Sequence, residues 1–353
     1  MRSLGALSLV TLGVISMLSS APVVTAQRKT CKALAMSGGA NKGAYEVGVI
    51  HGLAHLLDPK EIAWDVLTGV SAGAINAGAM SLWDPMDSRA MSEWLEATFL
   101  SMTSDQVYTT WPMGYVQGLF YKSGVYDNTP LFNFIEAVLR KFGSIKRMIA
   151  VSAVDVNTGE YVTYTEKDTP FDKMTEKIVA SASIPFIFPN AKVADGKILM
   201  DGGTVWNTNM IAAIDRCKEI GVGEEDIVMD IIICGTDKIT ATTKTGNTID
   251  NYLRYWSVKN YHKGMADIYE FKRSHPKIQY RYFFQSSGPL TWGFDEMKFE
   301  PEIIIPMINY GKFDAQTEVG KKQGQSWKRL EEWYENSEVR EKHGYLADFI
   351  HSE

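Results

Sequence analysis

The sequence predicts an α/β fold, a three-layer α/β/α sandwich with a mostly parallel central sheet. Short apolar runs bounded by turn residues alternate along the chain with segments whose apolar residues recur at helical spacing, as in β-α units on a parallel sheet. Two of these runs, residues 32–36 and 65–67, lead straight into glycine-rich turns that open helices. No repeat, low-complexity tract or linker divides the chain, so one domain is expected.

Residues 1–26 lie outside that fold. Arg2 is a short positive start, residues 4–17 are apolar apart from Ser and Thr, and Val24-Thr25-Ala26 fits a small-residue cleavage site. This reads as a secretory signal peptide cut after Ala26. The alternative is an uncleaved signal anchor, but a run interrupted by Ser8, Thr11 and Ser16 is marginal against a hydrocarbon core about 30 Å thick. The expected destination is outside the cell, or the lumen of the secretory or endolysosomal pathway. Residues 27–353 then form the domain, with a C-terminal part that is mostly helical from residue 306. Net charge is −6, and −7 once Arg2 is removed, which argues against a nucleic-acid partner and against strong attraction to anionic membranes. Three cysteines are too few for a disulfide framework. Cys234 follows Ile231-Ile232-Ile233 and reads as a buried thiol. A Cys31–Cys217 bridge is the lesser expectation, open only to a chain in an oxidising compartment.

The elements follow in order. Residues 32–36 form a first buried strand, which enters Ser37-Gly38-Gly39-Ala40-Asn41-Lys42-Gly43. A helix from Ala44 buries Val47, Ile50, Leu53, Ala54 and Leu57. The glycine-rich loop fits neither G-x-G-x-x-G, having Ala40 at the third place, nor a Walker A loop, since Gly43 follows Lys42. Its small residues suit an oxyanion loop, in which backbone N–H groups converge on one oxygen. Next comes Gly69-Val70-Ser71-Ala72-Gly73, between a buried strand and a helix. A G-x-S-x-G in that setting is a nucleophile elbow, with Ser71 exposed over a helix N-terminus. Residues 86–121 read as helical and aromatic-rich. Asp127 or Asn128 can cap a helix starting near Pro130. Residues 147–154 read as a buried strand, Asn157-Thr158-Gly159 as a hairpin turn and 161–164 as the returning strand. Residues 181–189, SASIPFIFP, carry two prolines four apart and read as a rigid apolar loop. Residues 197–200 form a short strand ending at Asp201-Gly202-Gly203, with a helix near Asn207. Residues 227–234 form a parallel-type strand, 249–273 a long aromatic helix and 278–284 an alternating strand.

These residues resemble the patatin-like phospholipases over nearly all of the mature length. Residues 37–50, SGGANKGAYEVGVI, look like that family's oxyanion loop and first helix, and residues 69–73 its nucleophile elbow. Residues 182–189 resemble its proline-bounded segment, and Asp201-Gly202-Gly203 its aspartate motif. The resemblance implies a Ser–Asp dyad without histidine: Ser71 as nucleophile, Asp201 as base, and the amides of Gly38, Gly39 and Ala40 as oxyanion hole. Lys42 matches a basic residue of that loop and either neutralises a phosphate or oxyanion or braces the loop. Gly43, Gly69, Gly73, Gly202 and Gly203 support the turns. Ala40 departs from the family pattern, and its methyl group is tolerable if the residue stays out of positive-φ space. The implied activity is hydrolysis of fatty-acyl esters, of phospholipase A or lysophospholipase type, through an acyl-enzyme on Ser71.

Two other readings compete. An α/β-hydrolase with a Ser-His-Asp triad would draw on His262, His275, His343 or His351. A storage or lipid-carrier protein that retains the fold would have no need of Ser71 and Asp201. His51 and His55, one helical turn apart, lack a third ligand at matching spacing, and no D-x-D-x-D-G loop is present, so neither a metal nor another cofactor is expected. Aromatic residues in 111–121, 184–188 and 292–294 suggest peripheral contact with lipid interfaces, through apolar area more than charge.

Overall fold

The computed structural model describes residues 30–335 apart from 237 and 240–245. The expected signal peptide, His343 and His351 lie outside the described residues. Ten strands occur in chain order: β1 (Cys31–Met36), β2 (Val66–Val70), β3 (Thr109–Thr110), β4 (Tyr126–Asp127), β5 (Met148–Asp155), β6 (Tyr161–Thr165), β7 (Ala191–Lys192), β8 (Ile198–Asp201), β9 (Ile227–Thr236) and β10 (Gln279–Ser286). The helices are α1 (Gly43–Leu56), α2 (Ala72–Ser81), α3 (Ser88–Ser101), α4 (Ser104–Val107), α5 (Gly114–Tyr121), α6 (Thr129–Phe142), α7 (Met174–Ser181), α8 (Met210–Glu219), α9 (Thr248–Ser274), α10 (Pro301–Val319) and α11 (Lys328–Glu335).

β10, β9, β1, β2 and β5 pair in that order, all parallel. β6 and β8 both pair antiparallel with β5, and β7 continues antiparallel from β8. The three layers follow from strand alternation. Leu34, Met36, Leu67, Ile149, Val151 and Ile232 point into one apolar core with α1, α2, α3, α6, α7 and α10. Ala33, Ala35, Val66, Ile231 and Phe283 point the other way, into a second core with α8, α9 and α11. Burial on both faces is why the strands read as continuous apolar runs.

Three expectations need correcting. Residues 86–121 are not one helical stretch: after α3, a capping box of Thr103 and Gln106 starts the single turn of α4, and the short strand β3 precedes α5. β10 does not alternate in burial, since Arg281 onward is buried throughout, and the Arg281 guanidinium is neutralised by the equally buried Asp230 of β9. Cys31 and Cys217 are joined by a disulfide, with Cα atoms 5.7 Å apart. The bridge forms because α8 packs on the face of β1 toward which Cys31, Ala33 and Ala35 point. Cys234 is buried and unpaired, as expected.

Candidate active site

Ser71 stands between β2 and α2 with φ 53 and ψ −118, a backbone conformation that costs a non-glycine residue on the order of 1–3 kcal/mol. The surroundings hold it there. A Cβ on Gly69 would lie 2.1 Å from the Gly73 carbonyl oxygen, and one on Gly73 would lie 2.6 Å from that of Met36. Strand and helix therefore approach more closely than any side chain allows. The Ser71 N–H donates to Ser181 Oγ at 3.0 Å, and the Ser181 hydroxyl donates to the Ser152 carbonyl at 2.6 Å. The end of α7 thus clamps the elbow to β5.

The strand register explains how Asp201 reaches Ser71. Val70 is paired with Ser152 and Asp201 with the next residue, Ala153. Both strands lie along the same edge of β5, because β6 occupies the opposite edge at these positions. β2 runs up to the junction and β8 runs down to it, so the two chain reversals meet end to end. The Ser71 side chain lies beside the Asp201 carboxylate and favours its charged form, and the Gly203 N–H donates to Asp201 Oδ1 at 2.7 Å. Burial pushes the Asp201 carboxyl up to about 6, against the pull of the Ser71 side chain and the Gly203 N–H. A carboxylate raised in this way is a better base than an exposed one, and it needs no imidazole between it and the hydroxyl. A Cβ on Gly202 would meet the Ser152 carbonyl at 2.4 Å, so that glycine is what lets the second reversal fit.

The oxyanion loop departs from expectation at two residues. The Gly38 N–H donates to the Asn207 carbonyl at 3.1 Å, while Asn207 Nδ2 donates to the Gly38 carbonyl at 3.0 Å. The Gly38 peptide is pinned on both sides and is not an available oxyanion donor. Its place is steric, since a Cβ there would lie 2.9 Å from that of Ser71. The second departure is Ala40, with φ 51. Its methyl group occupies left-handed space after all, in a strained turn that starts the short helix over residues 40–42. Among the described residues, the N–H groups of Gly39 and Ala40 have no backbone acceptor. Ala72, the first residue of α2, adds a third N–H that helix geometry leaves unbonded. Its sequence signal is its place directly after Ser71.

A narrow cavity of about 40 Å³ opens at Ser71, lined by Ala40 and Ala72 and by Phe99, Met102, Leu131, Phe188, Met297 and Phe299 among others. Ser71 is the single polar residue in that lining among the described residues. The wall suits an acyl chain and offers no second polar anchor.

The sequence profile of patatin-like phospholipases matches residues 34–214, just over half of the chain. The chain belongs to the patatin-like phospholipase family. A curated relative, the cGAMP-activated phospholipase of Pseudomonas aeruginosa (strain BWHPSA011 / Pa011), is 25% identical over 239 residues, which is 64% of this chain and 68% of that protein. Among solved structures, VipD from Legionella pneumophila aligns with TM-score 0.41 and 12% identity over 84% of this chain and 68% of that one. ExoU in the ExoU–SpcU complex of the Pseudomonas aeruginosa type III secretion system aligns with TM-score 0.37 and 13% identity, over 86% of this chain and 52% of that one. Family membership supports a lipid ester hydrolase.

In this patatin-like site Lys42 braces the loop. Its ammonium pairs with Glu296 at 2.8 Å; burial works against that charge, but the Glu296 carboxylate holds it above its ordinary value. Next to it, Asn41 Nδ2 donates to the carbonyls of Asp295 and Lys298 at 2.7 and 2.6 Å. The oxyanion loop is thereby strapped to the segment that supplies Met297 and Phe299 to the cavity. Gly43 packs against the start of α2, where a Cβ would stand 3.1 Å from that of Ala72. The described histidines are engaged elsewhere: His262 lies against Tyr261 and Trp333, and His275 Nδ1 lies 3.3 Å from Glu224. His51 and His55 do have acidic neighbours that spacing along the chain could not reveal, Glu96 and Glu93 of α3. Their rings stack at 4.1 Å, however, so the nitrogen lone pairs do not converge on one point.

Proposed function

We propose that this protein is a lipid acyl hydrolase of phospholipase A or lysophospholipase type, with Ser71 as nucleophile and Asp201 as base. The observation that carries the reading is the strained Ser71, set beside a buried carboxylate at the mouth of an apolar cavity. Asp201 takes the hydroxyl proton as Ser71 Oγ bonds to the ester carbonyl carbon. The oxyanion sits against the N–H groups of Gly39, Ala40 and Ala72. The carbonyl re-forms, the C–O bond to the lysolipid or alcohol breaks, and Asp201 returns the proton to that oxygen. Water then attacks the acyl-enzyme, Asp201 taking its proton and handing it to Ser71 as the free fatty acid leaves.

The substrate is met at an interface. Met113, Tyr115, Leu119, Phe120 and Tyr121 on or beside α5 are all more than half exposed, Phe120 by 77%. The chain after α5 pairs with the proline-bounded loop, Val125 N–H to the Phe186 carbonyl at 2.9 Å and Tyr126 N–H to that of Ile187 at 3.0 Å. That loop splits its side chains: Phe186 faces solvent while Ile184 and Phe188 line the cavity. A lipid reached by α5 is thus one loop away from Ser71. At roughly 10–15 Å³ per water the cavity holds about three, so a long acyl chain must displace the flexible Met102 and Met297.

Export through the secretory route, with residues 1–26 as signal peptide, is part of the proposal and is supported by the Cys31–Cys217 bridge. The test uses phosphatidylcholine vesicles and a soluble short-chain ester. Ser71→Ala and Asp201→Asn should each remove activity on both, by on the order of 10⁴, with circular dichroism unchanged, whereas His262→Ala and His275→Ala should keep it. Activity in a folded Ser71→Ala variant would return the protein to the triad or the storage reading.

A further inference from the structure

Behind the oxyanion loop lies a buried carboxyl for which the reaction above has no use. Glu46, in the first turn of α1, is completely inaccessible. Its Oε2 accepts a hydrogen bond from Asn76 Nδ2 at 2.7 Å, and that same nitrogen donates to the Gly43 carbonyl at 3.2 Å. Asn76 is equally buried, on α2. The pair therefore connects the helix that starts at the oxyanion loop with the helix that starts at Ser71. Two of its oxygens, Glu46 Oε1 and Asn76 Oδ1, are buried with no hydrogen-bond partner among the described residues.

We propose that Glu46 is a positioning residue, which through Asn76 fixes the spacing between the oxyanion loop and Ser71. A proton on Oε1 would make one of the two unmet acceptors a donor, which the other could accept to close an acid–amide pair. Ionisation would leave a charge in the core with no cation assigned to it. Lys42, on the preceding loop, is committed to Glu296, and Tyr45 to Asp314 of α10. Cys234 of β9 faces the carboxyl from the sheet, with its Sγ 3.8 Å from the Ser37 carbonyl. Burial raises the thiol well above its ordinary value; Lys42 and Tyr45 are raised too, so none of the three loses its proton in the mildly alkaline range. Burial pushes Glu46 itself up to about 8, against the hydrogen bond from Asn76 and the weaker pull of the nearby Cys234 thiol and Ser37 backbone. Above that pH the pair opens and the loop amides move off the developing oxyanion.

The role rests on Ser71 being the nucleophile, so the experiment separates the two. The pH profiles of kcat and KM on a soluble ester are compared for full-length wild type and Glu46→Gln, whose amide can donate where the carboxylic acid did. Wild type should lose kcat, with KM little changed, through a limb centred at about 8. Glu46→Gln should retain neutral-pH activity and carry the limb upward by at least about one pH unit, while Glu46→Ala should lower kcat roughly 10–100-fold at every pH. A second measurement does not depend on activity. Because the folded Glu46 binds its proton more tightly than its ordinary 4.5, wild-type stability should fall as pH rises through 5 to 8, more steeply than that of Glu46→Gln. An alkaline limb that stays in place in active Glu46→Gln overturns the role alone. An inactive wild type overturns the hydrolase reading and this role together.

Discussion

In the proposed reaction Asp201 acts as a base while sitting in a place that resists its charge. Its proton must be off for Ser71 to be activated, so kcat/KM on a soluble ester should rise with pH and level off above about 6. The same burial has a stability consequence whose sign is opposite to that of a salt-bridged carboxylate. A folded value of about 6 against an ordinary 3.8 means the native state holds this proton more tightly than the unfolded chain. The associated stability is complete below about 4 and is lost as pH rises to about 6. A shift of that size corresponds to about 3 kcal/mol. Asp201→Asn should therefore be inactive yet more stable than wild type at pH 8, with the difference vanishing near pH 4. Thermal unfolding at the two pH values reads this directly, and a variant less stable at pH 8 would contradict the assigned burial cost. At this scale the placement of Ser71 and Asp201 side by side was legible because both sit at strand ends beside glycines. The donor assignments were less so. Gly38 spends its N–H on Asn207, about 170 residues away, a contact no local pattern encodes, and Ala40 adopts a positive φ that its methyl group disfavours.

Elements were legible wherever periodicity and turn chemistry agreed. The elbow, the Asn157–Gly159 hairpin and the proline-bounded loop lie where the sequence puts them, since each is a local backbone solution. The direction of β8 was not legible, because a four-residue strand pairs equally well either way by its own pattern. It is that antiparallel direction, on the edge of β5 already used by β2, that brings Asp201 to Ser71. The aromatic segment around α5 was ambiguous between core and interface, and exposure resolves it in favour of a surface. Residues 111–126 include one basic residue, Lys122, stacked over the Trp111 ring at 4.7 Å, and one acidic-free helix. Docking should accordingly depend on apolar area at roughly 25 cal/mol per Å² and respond weakly to salt. Replacing Phe120 and Tyr121 by Asp should lower hydrolysis of phosphatidylcholine vesicles by at least about tenfold, since each ring offers 150–250 Å² to the lipid. The rate on a soluble ester should stay the same. Loss of both activities would place these rings in the folded core instead, and loss of neither would remove α5 from the interface. The companion measurement is the rate on a short-chain ester across its aggregation point, where a rise is expected and a smooth hyperbola would argue against interfacial action.

On the scale of the whole molecule, one covalent bond ties the first strand of the sheet to the layer beneath it. Cys31 opens β1, at the centre of the sheet, and Cys217 lies in α8, 186 residues later. Both are fully buried in the second core, so the bridge is shielded from reductant while the protein is folded. A loop of this length is among those for which cross-linking restricts the unfolded chain most, by about 5 kcal/mol in the chain-entropy treatment, against typical measured values of about 2–4. The bridge also spans the two halves of the site, because β1 leads into the oxyanion loop while α8 follows the Asp201 turn and its Asn207 contact with Gly38. Cys31→Ser and Cys217→Ser should each lower the unfolding midpoint by the same amount, and the double variant by no more than either alone, since the single variants already lose the bond. Dithiothreitol should leave native activity unchanged at first and reduce it only as slowly as the protein unfolds. The compartment enters here too. Protein recovered from the medium of the producing cell should begin at Gln27 and contain one free thiol, Cys234, after denaturation. Three titratable thiols in freshly isolated native-source protein, or an intact Met1 in a membrane pellet, would rule out an exported, bridged enzyme and leave the fold to stand on its two cores alone.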